Sequence, residues 1–447
     1  MPRIGTEADV SESNLARLAT EVEKSGIPWL DRLRESALDR FETLGLPSTR
    51  EEEWRHTNVA PIAATTFTRA SASGGAVSKA ELSALALAEL GCPRIVMVNG
   101  RHAPDLSEVA GLPSGIQVES LAAVLRSRPD EIEPHFGNSA RFEDRAFTAL
   151  NTASFEDGAV ITVAPGAMIE TPIHVLYLTA AAGVAVVSHP RTLVVVGDDA
   201  QASLIESYQS LGDGAYLHNA VTEVTLGQNA RLDHVHVQSD GPEAFHIGSI
   251  QSLQARDSRW TQHNISFGAK LARHDVGSVL GGEGAEATLN GLYLAVGDQH
   301  VDNHTVLVHA KPHCPSHEVY KGILSGHAQA VFNGRIVVRP DAQKTDAKQS
   351  NKNMLLTDDA MIHTRPQLEI YADDVKCTHG ATIGRLQEEE LFYLRARGIG
   401  LAEARSILIH GFVGEIFDKI AFDPLRERLA GEALTIMARE LGSGEER

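Results

Sequence analysis

Ala200-Gln-Ala-Ser-Leu204 is one copy of a short pattern, small–polar–small–x–apolar, that decides the fold of this chain. Four later copies are Ala230-Arg-Leu-Asp-His234, Ser258-Arg-Trp-Thr-Gln262, Ala285-Glu-Ala-Thr-Leu289 and Ala328-Gln-Ala-Val-Phe332. The starts at 200, 230, 258, 285 and 328 lie 30, 28, 27 and 43 residues apart, and each copy leads into an apolar strand. A unit of strands and turns alone cannot bury its apolar face, so the copies must stack. We therefore predict a right-handed parallel β-helix, with a β-sandwich as the alternative.

Three regions follow from the change of periodicity along the chain. Residues 1–145 show mostly helical spacing, residues 146–386 hold the strand repeat, and helical spacing returns over residues 387–447. Pro28 and Gly45 are predicted to begin and end the first long helix. A capping box is predicted at Ser48 with Glu51, a loop over residues 70–78 and a strand over Arg94–Gly100. Three C-terminal helices are predicted, over Glu388–Arg397, over residues 401–419 and from Pro424 onward, and the tail over residues 442–447 is expected to be frayed.

The composition argues against several classes of function. The 59 Asp and Glu residues outnumber the 40 Lys and Arg residues and give a formal charge of −19. Such an acidic surface repels phosphate backbones, so no nucleic-acid partner is expected. No apolar run approaches the ~18–20 residues of a membrane span. The first residues resemble neither a secretory signal nor a transit peptide, and a cytoplasmic location is expected.

The number of cysteines and the absence of a phosphate-binding loop limit the chemistry expected of this chain. Cys92, Cys314 and Cys377 are far apart, without a Cys-x-x-Cys pair. An all-thiolate iron–sulfur site needs about four cysteines, so any cluster here requires other ligand types or a second chain. The sequence has no Gly-x-x-x-x-Gly-Lys-Ser/Thr loop. No ATP site is therefore expected, and any ATP would be hydrolysed by another chain.

A histidine-rich segment over residues 300–317 is the first candidate site. Its potential ligands are His300, His304, His309, His313, Cys314 and His317. Imidazole and thiolate bind zinc or iron, so a metalloenzyme built on this segment is the alternative function. Hydrogen-bonded strand histidines without a metal explain the same residues. His234 and His236, which share a strand face, allow the same two interpretations.

The second candidate lies in Tyr371-Ala-Asp-Asp-Val-Lys-Cys-Thr-His-Gly380. In an extended segment Cys377 and His379 project from one face, and Lys376 projects from the other. A thiol and an imidazole bind a soft metal, and Lys376 is expected to favour the thiolate. Two ligands are too few for a stable site, so a second chain has to complete it. A Cys–His nucleophile lacks any sign of supporting groups, and a carbohydrate-processing β-helix lacks grouped acidic residues.

Several segments of this sequence are specific enough to compare with a known family: Val331-Phe-Asn-Gly334, Lys344-Thr-Asp346, residues 365–384, Leu391-Phe-Tyr-Leu-Arg-Ala-Arg-Gly398, Gly45-Leu-Pro-Ser48 with Glu53-Trp54, and Leu150-Asn-Thr-Ala153 with Phe155. Together they resemble the SufB/SufD family of iron–sulfur cluster assembly proteins. The resemblance covers nearly the whole chain. It is similar to the SufD branch in particular, because residues 351–356 lack the acceptor cysteine of SufB and Gly380 stands where SufB has Glu.

This resemblance implies a non-catalytic scaffold subunit with a β-helix between helical regions. It implies pairing with a SufB-like subunit through the β-helices, and docking of a SufC-like ABC-type ATPase on the C-terminal helices. A transient iron–sulfur cluster would form at the interface, where His379, close to Cys377, complements a cysteine of SufB. A reduced flavin would associate with the whole complex, without assigned residues, and the isolated chain could form a homodimer. Deleting residues 387–447 is expected to abolish ATPase binding and to leave the β core soluble.

Overall fold

The computed structural model describes residues 13–70, 77–85, 87–180 and 183–443. The loop predicted over residues 70–78 and the tail predicted at the C-terminus lie mostly outside these residues. The fold is a parallel β-solenoid of about eight coils, flanked by helices at both ends of the chain. Each coil contributes one strand to each of two sheets, and strands of successive coils pair in parallel. The prediction of a parallel β-helix is confirmed, and the β-sandwich is excluded.

Two sheets, called sheet A and sheet B below, form the walls of the solenoid. The strands of sheet A are β1 (Thr68–Arg69), β4 (Ile116–Ser120), β5 (Gly158–Val163), β7 (Val186–Ser188), β8 (Arg191–Val196), β10 (Tyr216–Leu226), β12 (Phe245–Gln254), β14 (Leu271–Leu280), β16 (His300–His309), β18 (Gln329–Val338) and β20 (Met361–Ile370). The strands of sheet B are β2 (Arg94–Val98), β3 (Arg101–His102), β6 (Ile173–Ala180), β9 (Gln201–Leu211), β11 (Arg231–Asp240), β13 (Arg259–Gly268), β15 (Glu286–Ala295), β17 (Pro315–Leu324), β19 (Asp346–Leu355) and β21 (Lys376–Gly384).

The helices lie before and after the main strand stack. They are α1 (Leu15–Thr20), α2 (Pro28–Leu44), α3 (Ala60–Ala64), α4 (Lys79–Ser83), α5 (Leu121–Ser127), α6 (Pro129–Ile132), α7 (Ala146–Ser154), α8 (Glu388–Arg395), α9 (Leu401–Phe417) and α10 (Asp423–Ser443). The 3-10 helices within the described residues are Glu52–Trp54, Pro104–Leu106 and Glu133–His135. Pro28 begins α2, and Gly45 ends it with a left-handed φ of 64°, as predicted. Among the described residues, no helix has the length and apolarity needed to cross a membrane.

The small residues of the repeat occupy buried corners of the coils. Ala200, Ala230, Ser258 and Ala285 are buried and directly precede β9, β11, β13 and β15 of sheet B. The fifth predicted copy, at Ala328, precedes β18 of sheet A instead. In sheet B the corresponding corners are Cys314 and Thr345, which precede β17 and β19. The irregular spacing of 43 residues therefore reflects a change of sheet.

Helix α7 corrects the prediction that helical structure stops near residue 146. All eight residues from Phe147 to Ser154 are buried. The polar residue Asn151 is buried as well, and it donates to the carbonyl oxygens of Pro190 and Asn219. The helix has only nine residues and its polar side chains face protein instead of water, so it lacks the solvent-facing polar stripe of a surface helix.

Helices cover the outer faces of both sheets. N-terminal helices α1, α2 and α7 pack on apolar residues of sheet A, among them Leu217 and Phe245. Helices α9 and α10 pack on apolar residues of sheet B, among them Val237, Ile265 and Leu292. Deleting residues 387–447 would expose this second face to water, and an exposed apolar face of this kind favours aggregation.

Candidate functional site

Strand β21 holds the two residues of the second candidate site at the end of the solenoid. In its register with β19, Cys377 lies opposite Ala347 and His379 lies opposite Gln349. Ala347 and Gln349 are buried in the solenoid interior. Because parallel strands in register keep the same side-chain direction, Cys377 and His379 continue the inward-facing columns of β19.

The end of the solenoid after β21 is open. Within the described residues, β21 pairs only with β19, and β20 pairs only with β18. The other edge of each strand therefore presents backbone groups without a strand partner. His379 is exposed, and Cys377 is half-buried against the core. Residues that would lie in the interior of an internal coil are accessible in this last one.

The Cys377 thiol is not activated in the isolated chain. Burial raises the pKa of this thiol above its usual value, and the Asp346 carboxylate raises it further, whereas a backbone hydrogen bond with Ala347 lowers it. The expectation that Lys376 favours the thiolate is therefore wrong for the chain alone. Cys377 is a neutral thiol at neutral pH until a metal or a new cationic neighbour displaces its proton.

An apolar rim surrounds the open end. Four large apolar residues on β20, on β21 and after β20 have exposed fractions of 41–62%: Met361, Ile370, Tyr371 and Ile383. Exposed apolar residues grouped on an unpaired sheet edge are typical of a protein interaction surface. Gly380 lies on the same strand, and a side chain added there would meet no heavy atom of the described chain within 4 Å. This end of the molecule is sterically free to accept a partner.

The residues of the 300–317 segment do not converge on a metal site. His300 and His304 share the outward face of β16, whereas His309 faces inward and contacts Ser316 (3.0 Å from Nε2 to Oγ). His313 lies in a turn with a φ of 59°. The buried thiol of Cys314 contacts the Gly282 carbonyl oxygen at 3.3 Å. The strand alternation and the turn thus distribute these side chains over different faces.

His304 belongs to an ion-pair network that attaches the N-terminal region to sheet A. Its Nε2 lies 3.0 Å from Asp302 and its Nδ1 lies 3.1 Å from Glu53. Burial lowers the pKa of His304, but the Asp302 carboxylate and hydrogen bonds to Asp302 and Glu53 raise it overall to about 9. Arg273 contacts Asp302 at 2.7 Å and stacks over the Trp54 ring at 3.8 Å. A protonated imidazole between two carboxylates is a structural cation and not a metal ligand.

Sequence reasoning missed a set of histidines inside the solenoid. His218, His246 and His274 are buried inward-facing residues of β10, β12 and β14. His234 and His236 do share a face, as predicted, and that face is buried, with His234 3.3 Å from Glu206. The available signal was their recurrence at the coil length, at positions 218, 246 and 274.

Comparison with known proteins identifies the family. Residues 177–412 match the SufBD core domain of the SUF system for FeS cluster assembly, and residues 15–175 match the SufBD protein N-terminal region. The chain belongs to the SufB/SufD family. The predicted family membership is confirmed, and it rests on matches that extend over the N-terminal region and the solenoid.

Similarity to individual relatives places this SufB/SufD family member on the SufD side. It is 33% identical to the iron–sulfur cluster assembly protein SufD of Escherichia coli, over 88% of this chain and 89% of that protein. An iron–sulfur cluster assembly SufBD family protein of Synechocystis is 35% identical, over 89% and 88% of the two chains. The chloroplastic protein ABCI7 of Arabidopsis thaliana is 29% identical over 95% and 91%. The chain is thus a SufD homologue and an iron–sulfur cluster assembly protein.

Proposed function

We propose that this SufD homologue is a non-catalytic scaffold subunit of a cytoplasmic SufBCD-type complex. In this proposal its open solenoid end pairs with a SufB-like subunit, and a nascent iron–sulfur cluster forms at the junction. The observation that supports it most directly is the unpaired edge of β21, which carries an exposed His379 and an accessible Cys377 inside an apolar rim. A second β-helix that adds its last strand to this edge would satisfy the free backbone groups and cover the rim.

The ligand set of this end supports a shared cluster site. One imidazole and one thiol cannot hold a cluster, which takes about four ligands in most iron–sulfur proteins. Thiols of a partner would complete the set, and their approach with iron would displace the proton of Cys377. His379 and the neighbouring Cys377 act in this proposal as the two ligands from this chain. A reduced flavin on the assembled complex is part of the proposal, without residues assigned in this chain.

The C-terminal helices are the proposed docking site of a SufC-like ATPase. Helix α8 has no buried residue, and its Phe392 and Tyr393 are 73% and 55% exposed. Helices α9 and α10, in contrast, are anchored on sheet B, for example through Lys321, which donates to the Phe412 carbonyl oxygen at 2.9 Å. Two exposed aromatic residues on a helix beside α9 and α10, which pack firmly on sheet B, form a surface suited to binding a protein. ATP hydrolysis would be supplied by that partner, since the sequence has no phosphate-binding loop.

The test is co-purification of the chain with SufB-like and SufC-like proteins, followed by iron and sulfide analysis of the complex. We expect His379→Ala to leave the complex assembled and to lower its bound iron and sulfide severalfold, because one ligand of the shared site is lost. His327→Ala is the matched control, since His327 is also exposed (66%) but lies in a turn with Asp298 and Asp359 as neighbours. Equal cluster content in the wild type and in His379→Ala would contradict the proposed role of His379.

A further inference from the structure

Three buried histidines meet in the interior of the solenoid, away from the open end. His236 comes from β11 of sheet B, and His246 and His274 come from β12 and β14 of sheet A. Their side chains are at most 1% exposed. One ring nitrogen from each lies within 4.8 Å of the other two. The two sheets thus bring three imidazoles together across the core, which we call the histidine triad.

Each ring of the histidine triad is held by a hydrogen bond through one nitrogen. The bonds are His236 Nδ1 with Asn264 Oδ1 (2.9 Å), His246 Nδ1 with Asp240 Oδ2 (3.0 Å) and His274 Nε2 with Ser266 Oγ (3.3 Å). Metal-binding histidines typically have such a partner on the nitrogen opposite the metal, because it fixes the ring orientation and the tautomer. A carboxylate in this position, as at His246, also makes the free nitrogen a better donor to a metal.

The free nitrogens of His246 and His274 are left without a partner in the described chain. His246 Nε2 and His274 Nδ1 are fully buried and form no hydrogen bond with any described residue. Buried polar atoms in proteins usually have a hydrogen-bond partner or bind an ion, so two such nitrogens beside each other point to a bound ion. Burial lowers the pKa of all three imidazoles, which leaves the rings neutral and their lone pairs available.

Gly248 provides the space into which these nitrogens point. A Cβ atom at Gly248 would lie 3.0 Å from His246 Nε2 and 3.5 Å from His274 Nδ1. Gly248 faces inward on β12, opposite His274 in the register of β12 and β14. Its missing side chain therefore leaves a small space beside both free nitrogens.

A second nearby group of possible ligands, His218 with Asp240 and His246, is a weaker candidate for a metal site. Its ligand atoms are also within 4.8 Å of one another. Asp240, however, already accepts from Tyr216 (2.8 Å) and Gln238 (3.0 Å) and contacts both histidines. The polar atoms of His218 and Asp240 are satisfied by hydrogen bonds that orient His246, whereas the histidine triad has ring nitrogens whose lone pairs are available to a metal.

We propose that the histidine triad binds one divalent transition-metal ion, with Zn²⁺ as the best match. Each histidine contributes the ring nitrogen that its hydrogen bond leaves free. Three neutral imidazoles suit Zn²⁺ and leave a fourth position open. Zn–N distances of ~2.0–2.1 Å place ligand nitrogens roughly 3.3 Å apart, so the rings move inward on binding. The ion stabilises the middle coils and is separate from the proposed cluster site at His379.

The test uses the full-length chain with His379→Ala and Cys377→Ala, which removes the proposed cluster ligands. This protein is purified from a zinc-supplemented culture and, in parallel, unfolded and refolded with excess Zn²⁺ or Co²⁺ before dialysis. We expect about one Zn²⁺ per chain and an X-ray absorption shell of about three imidazole nitrogens at ~2.0–2.1 Å. We also expect Co²⁺ to give the intense visible bands of a tetrahedral site.

His274→Gln should reduce the bound metal roughly tenfold or more. His309→Gln is the matched control, because His309 is also buried on sheet A and contacts a serine through Nε2, but belongs to no ligand group among the described residues. This control should keep its metal.

Absence of metal from the parent after both loading procedures would overturn the proposal. A sulfur shell at ~2.3 Å or an equal loss in both variants would do the same. A failure of cluster assembly in the complex leaves these results unaffected, so the two proposals fail independently.

Discussion

His379 lies directly opposite Gln349 in the register of β21 and β19. Gln349 donates to Glu318 on the coil before it, at 2.7 Å. These three residues form one inward-facing column that runs from the buried core to the open end. His379 is therefore the last member of an interior column, and it is exposed only because the described stack ends there. A partner that extends the stack would enclose His379 in an environment like that of Gln349.

The first prediction concerns the apolar rim of the open end. Ile383→Glu should weaken pairing with a SufB-like subunit roughly tenfold or more, because an unpaired carboxylate would be buried in the interface. The isolated chain should keep its fold, since Ile383 is 52% exposed. Dissociation constants measured by surface-immobilised binding test this. Leu253→Glu, at a 40% exposed strand position on sheet A, should bind like the wild type. If the affinity of Ile383→Glu were unchanged, the interface would have to lie elsewhere on the molecule.

The strand repeat predicted the solenoid because only stacking buries units of this kind. It could not assign every copy to a sheet, because small residues before an apolar strand occur at corners of both sheets. Ala285 precedes a strand of sheet B, and Ala328 precedes a strand of sheet A. Helix α7 was missed for a different reason, since it is short and its polar residues, such as Asn151, are buried in protein contacts instead of facing water.

The second prediction concerns helix α8. Phe392→Ala combined with Tyr393→Ala should lower the affinity for a SufC-like ATPase roughly tenfold, since exposed aromatic residues carry much of the energy of such interfaces. The circular dichroism spectrum should not change, because both side chains are largely exposed. Met168→Ala removes another exposed apolar residue (60%) at a distant position and should leave binding unchanged. Full ATPase binding by the double variant would exclude α8 from the docking surface.

The residues of the candidate site were predictable, whereas their environment was not. Alternation along an extended strand placed Cys377 and His379 on one face, and the register of β21 agrees. Their accessibility depends on β21 being the last described strand of sheet B, which no local pattern reveals. The role of His304 also depends on Glu53, which is far away in sequence, and the role of His274 depends on His236, which lies in the other sheet.

The third prediction concerns the alkaline stability of the contact between the N-terminal region and sheet A. The pKa of His304 is raised to about 9, so its stabilising contribution is complete below its unfolded pKa of about 6.5 and is lost as the pH rises through 9. The shift corresponds to at most about 3 kcal/mol. Urea denaturation from pH 6 to pH 10 should show this decline in the wild type.

His304→Gln should be less stable at pH 6 and should lose the decline above pH 7. The matched control is His300→Gln on the same strand face, since burial lowers the pKa of His300 and its titration therefore lies below the region above pH 7 in which the decline is expected. A decline that persists in His304→Gln would show that another group titrates.

The fourth prediction concerns Glu318, the buried carboxyl below Gln349 in the interior column. Burial raises its pKa to about 7, against the lowering effect of hydrogen bonds from Gln349 and Thr305. An unfolded glutamate titrates near 4.3, so the unfolded chain holds fewer protons between pH 4.3 and 7, and stability falls as the pH rises through this window. Glu318→Gln should remove this fall and raise stability at pH 8 by up to about 3 kcal/mol. Denaturation midpoints from pH 4.5 to 8 test it, with the partly exposed Glu369→Gln as the control. If the two variants have equal stability profiles, Glu318 is already ionised at low pH in the folded chain, and the interior column tolerates a charge.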